Sequence, residues 1–410
     1  MNSSKKDLHG LPFTLLTIFW IAQAVSLFGD RLNNFSIMAL INRFAEDPGQ
    51  TLSRFYFAMY LPIFILAPLI GVLLEKLDKR WVLVVTDLLR GAIVILIPPL
   101  FMLSHSFLPV MAAAFLLTTG NLFFLPAKSA LIPELVPPDR LVRTNSILWA
   151  AGIVGVIGGF LGGGLIFDYV SWPVCFYLDG ATYMLSASLL TVIALKSIRR
   201  EQNAVTPIDH TALPKAIREG LSEIRRSPGI TAPLGIQSLI FFGTGGFSVL
   251  AIVLIKNLSA PGSSMGLSAT GISIGAGMGV GSIIANRINP SARITFETIL
   301  FAVLFAATAA VAYGGSLAAV MIGSFAAGLS VSPLIIIAES ELQERISISL
   351  RGRIFSFREI ITRCLFLISA FLFSSLSKHI DRAALLTFLG LFLACTGVVW
   401  TRFFKRYSNG

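Results

Sequence analysis

The chain has 410 residues, 55% of them hydrophobic and only 13% charged, with a formal net charge of +11. That balance excludes an ordinary soluble domain, whose surface needs more charged side chains, and makes lipid the fitting solvent. It does not point to nucleic acid, because Lys and Arg gather in short segments between apolar runs rather than along one face.

Twelve apolar segments are predicted as membrane-spanning helices: 13–41, 54–75, 81–103, 107–131, 145–168, 172–195, 231–255, 265–286, 294–313, 316–341, 353–377 and 383–404. Each approaches or exceeds the roughly 20 residues that cross a bilayer as a helix. Of the 32 Lys and Arg, 22 fall on the side of both termini, 5 on the other side, and the rest within spans. The positive-inside rule then puts both termini in the cytoplasm. A multi-pass protein of the bacterial inner membrane is expected, an all-α chain in two six-helix bundles. The bundles are 1–195 and 231–410, and 196–230 is a cytoplasmic linker.

Span one carries Gln23, Ser26, Asp30, Asn33 and Asn34 at intervals of three and four, which makes one polar stripe on a helix. Lipid cannot be its neighbour, so the stripe faces protein or a water-filled cavity. A charge inside a span is costly and is a functional candidate by default. Asp30 is therefore the candidate to carry a proton, a cation or a cationic group. Arg31 and Asp179 of span six lie at similar depth, and a structural ion pair between them is expected.

After span two comes Gly71-Val-Leu-Leu-Glu75-Lys76-Leu-Asp78-Lys79-Arg80. A carboxylate at the end of helix 2 can face the positive N-terminus of another helix, a contact available only while the cytoplasmic side is closed. Asp87 and Arg90 in span three, and Glu359 and Arg363 in span eleven, are spaced as in-helix pairs. Thr118, Asn121 and Lys128 make a second stripe on span four, with Lys128 able to meet a phosphate or carboxylate. Span five holds Gly152, Gly155, Gly158, Gly159, Gly162, Gly163 and Gly164, which allow two helix backbones to approach closely. In the linker, Leu213, Ile217, Leu221 and Ile224 alternate with charges as on an amphipathic surface helix. Glu339 near the inner end of span ten is a candidate gate or proton site. Cys175, Cys364 and Cys395 lie in apolar segments, without metal-ligand spacing or an indicated disulfide.

A shift of about 210 residues aligns Gly71 with Gly281, Glu134 with Glu344, Arg143 with Arg353 and Ser146 with Ser356. A repeat of this kind implies two parallel halves with a binding site between them.

The loop Gly71 to Arg80 resembles the major facilitator signature G-x-x-x-D-R-x-G-R-R/K, with Glu75, Lys76 and Asp78 replacing its Asp, Arg and second Gly. Pro126-Ala-Lys128 through Ser146, Phe176 through Ser186, Ile217 through Leu221 and Leu350 through Ser356 are similar to the branch holding macrolide-type drug exporters, siderophore exporters and lysophospholipid transporters. The glycines of span five resemble the helix-5 motif of facilitator exporters, though the central Pro is missing. The resemblance implies a major facilitator fold and a gate at Gly71, Glu75, Asp78, Lys79 and Arg80. Arg353 and Arg358 of helix 11 would be its partners.

The function expected is secondary active export of an amphipathic organic solute by alternating access. The coupling ion would be H+, with Na+ as the alternative. Movement of a lysophospholipid is the second expectation, and a non-transporting membrane scaffold or sensor is the rival of another class. A monomer in the bilayer is expected, with no cofactor, no metal and no nucleic acid. Neither a phosphate-binding G-x-x-x-x-G-K-S/T loop nor a Ser/His/Asp or HExxH arrangement is present, so no enzyme is expected.

Overall fold

The structure is a computed structural model that describes residues 13–75, 77–135, 141–196, 227–258, 263–285, 287–288, 292–346 and 348–408. It is all helical. The twelve long helices are α1 (Phe13–Phe44), α2 (Pro48–Glu75), α3 (Lys79–Ser104), α4 (Leu108–Leu135), α5 (Leu141–Tyr169) and α6 (Trp172–Lys196), then α7 (Pro228–Leu258), α8 (Met265–Ala285), α9 (Arg293–Tyr313), α10 (Leu317–Arg345), α11 (Ile348–Leu376) and α12 (Arg382–Ser408). Among the described residues nine helices are long and apolar enough to cross a membrane. The expected surface helix over Leu213 to Arg226 lies outside the described residues.

Short polar residues start the helices where the chain turns. Asp78 sits at the N-cap of α3, in extended backbone, and its carboxylate accepts from the Arg80 N–H at 3.1 Å. Asp47 accepts from the Gln50 N–H at 2.9 Å, Ser316 from Ala319 at 3.3 Å and Asp381 from Ala384 at 3.1 Å. Each satisfies a backbone donor that the first helical turn leaves open. His105 closes α3 in the left-handed region (φ 49°), its N–H bonded to the Phe101 carbonyl.

The chain groups into two units. The first comprises residues 1–38 and 57–207, the second 39–56 and 208–410. The sequence places 39–56 in the first bundle; here this hairpin belongs to the second unit. There Ser53 Oγ donates to the Ala370 carbonyl at 3.1 Å, Lys256 Nζ to that of Ala45 at 3.3 Å, and Tyr56 meets Phe366 edge-on.

Each unit repeats a pairing scheme. α3 packs on α6 in the first, and α9 on α12 in the second. Gly91 and Gly180 face one another across α3 and α6: a Cβ on either would come within 3.3 Å of the other's carbonyl oxygen. In the second unit Gly277 and Gly281 of α8 lie against the α10 backbone, and Gly328 of α10 against that of α8. With no lipid-driven hydrophobic force between helices, backbone-to-backbone contact of this kind holds membrane bundles together. α5 meets α1 through Gly155, Gly159 and Gly163, one helical turn apart, which touch Leu27, Arg31 and Phe35. Gly162 faces open space.

Candidate functional site

The first unit holds a buried polar cluster where α1, α3, α4 and α6 meet. Its centre is Arg90, 2% exposed, bonded to the carboxylate of Asp87, which is fully buried. The i,i+3 spacing forms this pair on one helix, as expected from the sequence. Arg90 Nη1 donates to Asn121 Oδ1 of α4 at 2.7 Å, and Ser186 of α6 donates to Asp87 Oδ2 at 2.7 Å. The guanidinium lies over the rings of Phe124 and Tyr183, 4.1 and 4.7 Å from their centroids. A charge pair this deep needs partners for its remaining donors and acceptors, and of the pair's side-chain atoms Arg90 Nε alone lacks one among the described residues.

Asp30 reaches this cluster from α1. It accepts a hydrogen bond from the Tyr183 hydroxyl, and the Tyr183 ring is the one stacked on Arg90. Asp30 is half-buried, and the other members of its stripe divide. Gln23, Ser26 and Asn33 are buried, with Gln23 Nε2 and Asn33 Oδ1 lacking a hydrogen-bond partner, whereas Asn34 is exposed. Lys128 Nζ lies 5.6 Å from the Phe124 centroid and makes no ion pair within 4.0 Å among the described residues.

The expected Arg31–Asp179 ion pair does not form. Asp179 is fully buried; one carboxylate oxygen accepts from Thr182 Oγ1 at 3.3 Å and the other has no partner. Its carboxylate packs on Gly29, where an added Cβ would collide with Asp179 Oδ1. Arg31 points instead to α5, its Cβ against Gly159, and its Nε makes no hydrogen bond. The cause is helical rotation: residues two apart lie about 200° round the axis, so Gly29 and Arg31 face opposite ways.

A second cluster lies in the other unit. Glu339 of α10 is bonded by Arg358 of α11 and accepts from Gln237 of α7 at 2.9 Å and from Gln343 at 3.3 Å. Arg358 also lies 3.6 Å from Glu359, which Arg363 holds at 2.6 Å. Arg363 stacks over the Phe241 ring at 5.0 Å. The candidate gate residues Glu339 and Arg358 are thus brought together. Asp78 serves as the α3 cap, with Lys79 and Arg80 opening that helix. Gly71 lies on α2, and the side chains of Glu75 and Arg353 lie outside the described residues.

Tyr183, Ser186 and Gln237 are site residues that the sequence did not single out. Tyr183 follows Asp179 by one helical turn, and that i,i+4 spacing to an intramembrane carboxylate is the one signal that could have found it.

The Major Facilitator Superfamily model matches residues 19–364. An uncharacterized MFS-type transporter of Mycobacterium tuberculosis is 24% identical over 87% of this chain and 82% of its own length. Macrolide efflux protein A of Streptococcus pyogenes is 24% identical over 65% of this chain and 64% of its own length. The lysophospholipid transporter LplT of Pectobacterium carotovorum is 30% identical over 36% of this chain and 35% of its own length. Among solved structures, an auto-inhibited POT family peptide transporter superposes with TM-score 0.73, at 13% identity over 96% of this chain and 97% of its own. A bacterial homologue of the iron transporter ferroportin, inward-facing, superposes with TM-score 0.72, at 17% identity over 99% and 100%. The family and these relatives are transporters, not enzymes.

Proposed function

The chain belongs to the major facilitator superfamily, and from that premise we propose that it exports an amphipathic organic solute by alternating access, driven by a proton gradient. The setting is a bacterial inner membrane with both termini in the cytoplasm. The observation that carries the proton is the charge balance of the first cluster. Asp87 and Arg90 neutralise one another. That leaves two carboxyl groups, Asp30 and Asp179, and one ammonium, Lys128, with none of the three in an ion pair among the described residues. With Arg31 turned away to α5, the cluster itself holds one negative charge in excess, which in a region of low dielectric calls for a proton or a cation.

Asp30 is the coupling group of this reading. It is half-buried and so within reach of water, whereas Asp179 is sealed. Asn121 and Lys128, both partly accessible, supply the polar surface that meets the solute, and Gln23, Ser26 and Asn33, buried in this conformation, extend it once the helices part. Export is supported by the likeness to macrolide efflux protein A. A lysophospholipid is the second reading, supported by the likeness to LplT and by Lys128, a cation free to meet a phosphate.

Purified full-length protein in liposomes, with a pH-sensitive dye inside and radiolabelled erythromycin or lysophosphatidylethanolamine outside, tests both. Solute flux accompanied by proton movement, and unaffected by Na+ removal, is the expected result. Flux without proton movement would overturn the coupling, and the solute that moves decides between the readings.

A further inference from the structure

The second unit contains a cavity of about 220 Å3 among α7, α8, α9, α10 and α12. Its walls are apolar, with Phe241, Phe247, Met278, Leu304, Val331 and Ile335 prominent. The two hydroxyl groups on the wall, Thr244 and Thr308, donate back to carbonyls of their own helices at 3.0 and 2.8 Å. A polar solute therefore finds no free hydroxyl donor there. The space exceeds the roughly 150 Å3 at which a dry apolar cavity already takes up benzene.

The cavity does not stand alone. On α10, Val331, Ile335 and Glu339 follow at i,i+4, so one stripe runs from the cavity wall to the second polar cluster. On α7, Gln237 precedes Phe241 by the same interval, and Gln237 donates to Glu339 at 2.9 Å. Phe241 itself lines the cavity and carries Arg363 on its ring at 5.0 Å. Two carboxylates and two guanidinium groups (Glu339, Glu359, Arg358 and Arg363) thus sit one helical turn from an apolar chamber.

We propose that this unit holds its own binding site for a zwitterionic amphiphile with a single alkyl chain. The chain enters the apolar cavity, and the head group meets the Glu339–Arg358–Glu359–Arg363 cluster. The charges sum to zero and alternate in sign, which suits a head group bearing both an ammonium and a phosphate. A solute with one net charge would leave one member of the cluster uncompensated. The inference rests on the transport reading for the solute's amphipathic character and names its class.

The test uses the full chain in lipid nanodiscs with two probes, each carrying a diazirine near the end of its chain: a lysophosphatidylethanolamine and a fatty acid. Mass spectrometry then locates the photo-adducts. The expected result is adducts on Phe247, Met278 and Leu304 with the lysophospholipid probe, competed by excess unlabelled lysophosphatidylethanolamine. Ala327→Phe, which fills the cavity from α10, should cut that labelling about tenfold. Val331→Ala, which widens it, should raise the labelling and covers the case in which the larger side chain fails to fold. Adducts confined to lipid-facing positions, or not competed, overturn the site. Equal labelling by the fatty acid overturns the head-group assignment. Liposomes that show competed labelling but no solute flux would sink the transport reading and keep the site; flux with uncompeted labelling would do the reverse.

Discussion

Tyr183 donates its phenolic hydrogen to Asp30 and presents its ring to Arg90, so one side chain of α6 joins the carboxylate of α1 to the buried ion pair of α3. A proton arriving at Asp30 removes the charge that this hydroxyl serves. Asp30→Asn should therefore abolish the pH dependence of transport in liposomes while the protein still folds. Tyr183→Phe should keep the pH dependence but destabilise the protein by about 1.5–3 kcal/mol, the usual worth of a hydrogen bond to a charged group. Unchanged pH dependence in Asp30→Asn would remove it as the coupling site.

The Asp87–Arg90 pair is a brace. Arg90→Leu leaves the buried Asp87 carboxylate with Ser186 as its hydrogen-bond donor and should cost about 3–5 kcal/mol. Replacing both residues with Leu should recover most of that loss, because no buried charge then remains. Thermal unfolding of the three proteins in detergent measures the coupling; a double variant no more stable than Arg90→Leu would contradict it.

Arg31 and Asp179 should behave as strangers. Arg31 faces α5, whereas Asp179 on α6 packs against Gly29 of α1, so the effects of Arg31→Ala and Asp179→Asn on unfolding should add within about 0.5 kcal/mol. Asp179→Asn alone should leave stability equal or higher, since it removes a buried carboxyl group with one oxygen unpartnered. Rescue of one substitution by the other would restore the ion pair that the sequence suggested.

The twelve helices are legible in the sequence because lipid imposes a length and a composition on every span, and neither depends on the neighbours. The Asp87–Arg90 and Glu359–Arg363 pairs are legible for the same reason: a spacing of three or four on one helix settles them locally. Contacts between helices are not. Arg31 and Asp179 agree in depth, but depth leaves the rotation about each axis open, and that rotation turns Gly29 rather than Arg31 towards α6. Tyr183 passes as one more aromatic in an apolar run until the structure brings its hydroxyl to Asp30. Asn121 and Lys128 lie on one stripe in the sequence, yet only Asn121 is drawn to Arg90.

Two neighbouring glycines of α5 separate close approach from chance composition. A Cβ on Gly159 would lie 2.7 Å from Arg31 Cβ and 2.9 Å from the Leu32 nitrogen, so Gly159→Ala must push α1 and α5 apart. The expected cost is about 1–3 kcal/mol, as for other overpacked sites. Gly162 has nothing within 4 Å, and Gly162→Ala should be neutral or stabilising by up to about 1 kcal/mol through helix propensity. Equal effects in thermal unfolding would mean that the glycines serve the helix itself rather than the α1–α5 contact.

Glu339 distinguishes a gate from a brace. Its pair with Arg358 is partly exposed, 30% and 21% at the two side chains, so solvent screens it and the stability at stake is about 1 kcal/mol or less. Glu339→Gln keeps the shape and the acceptor for Gln237 but removes the charge, and Arg358 is left with Glu359 at 3.6 Å. If the pair is made and broken during transport, the variant should lose most of its flux while its unfolding temperature barely moves. Flux that falls only in step with stability would make the contact structural, and flux at the level of the unaltered protein would leave Glu339 no part in the cycle.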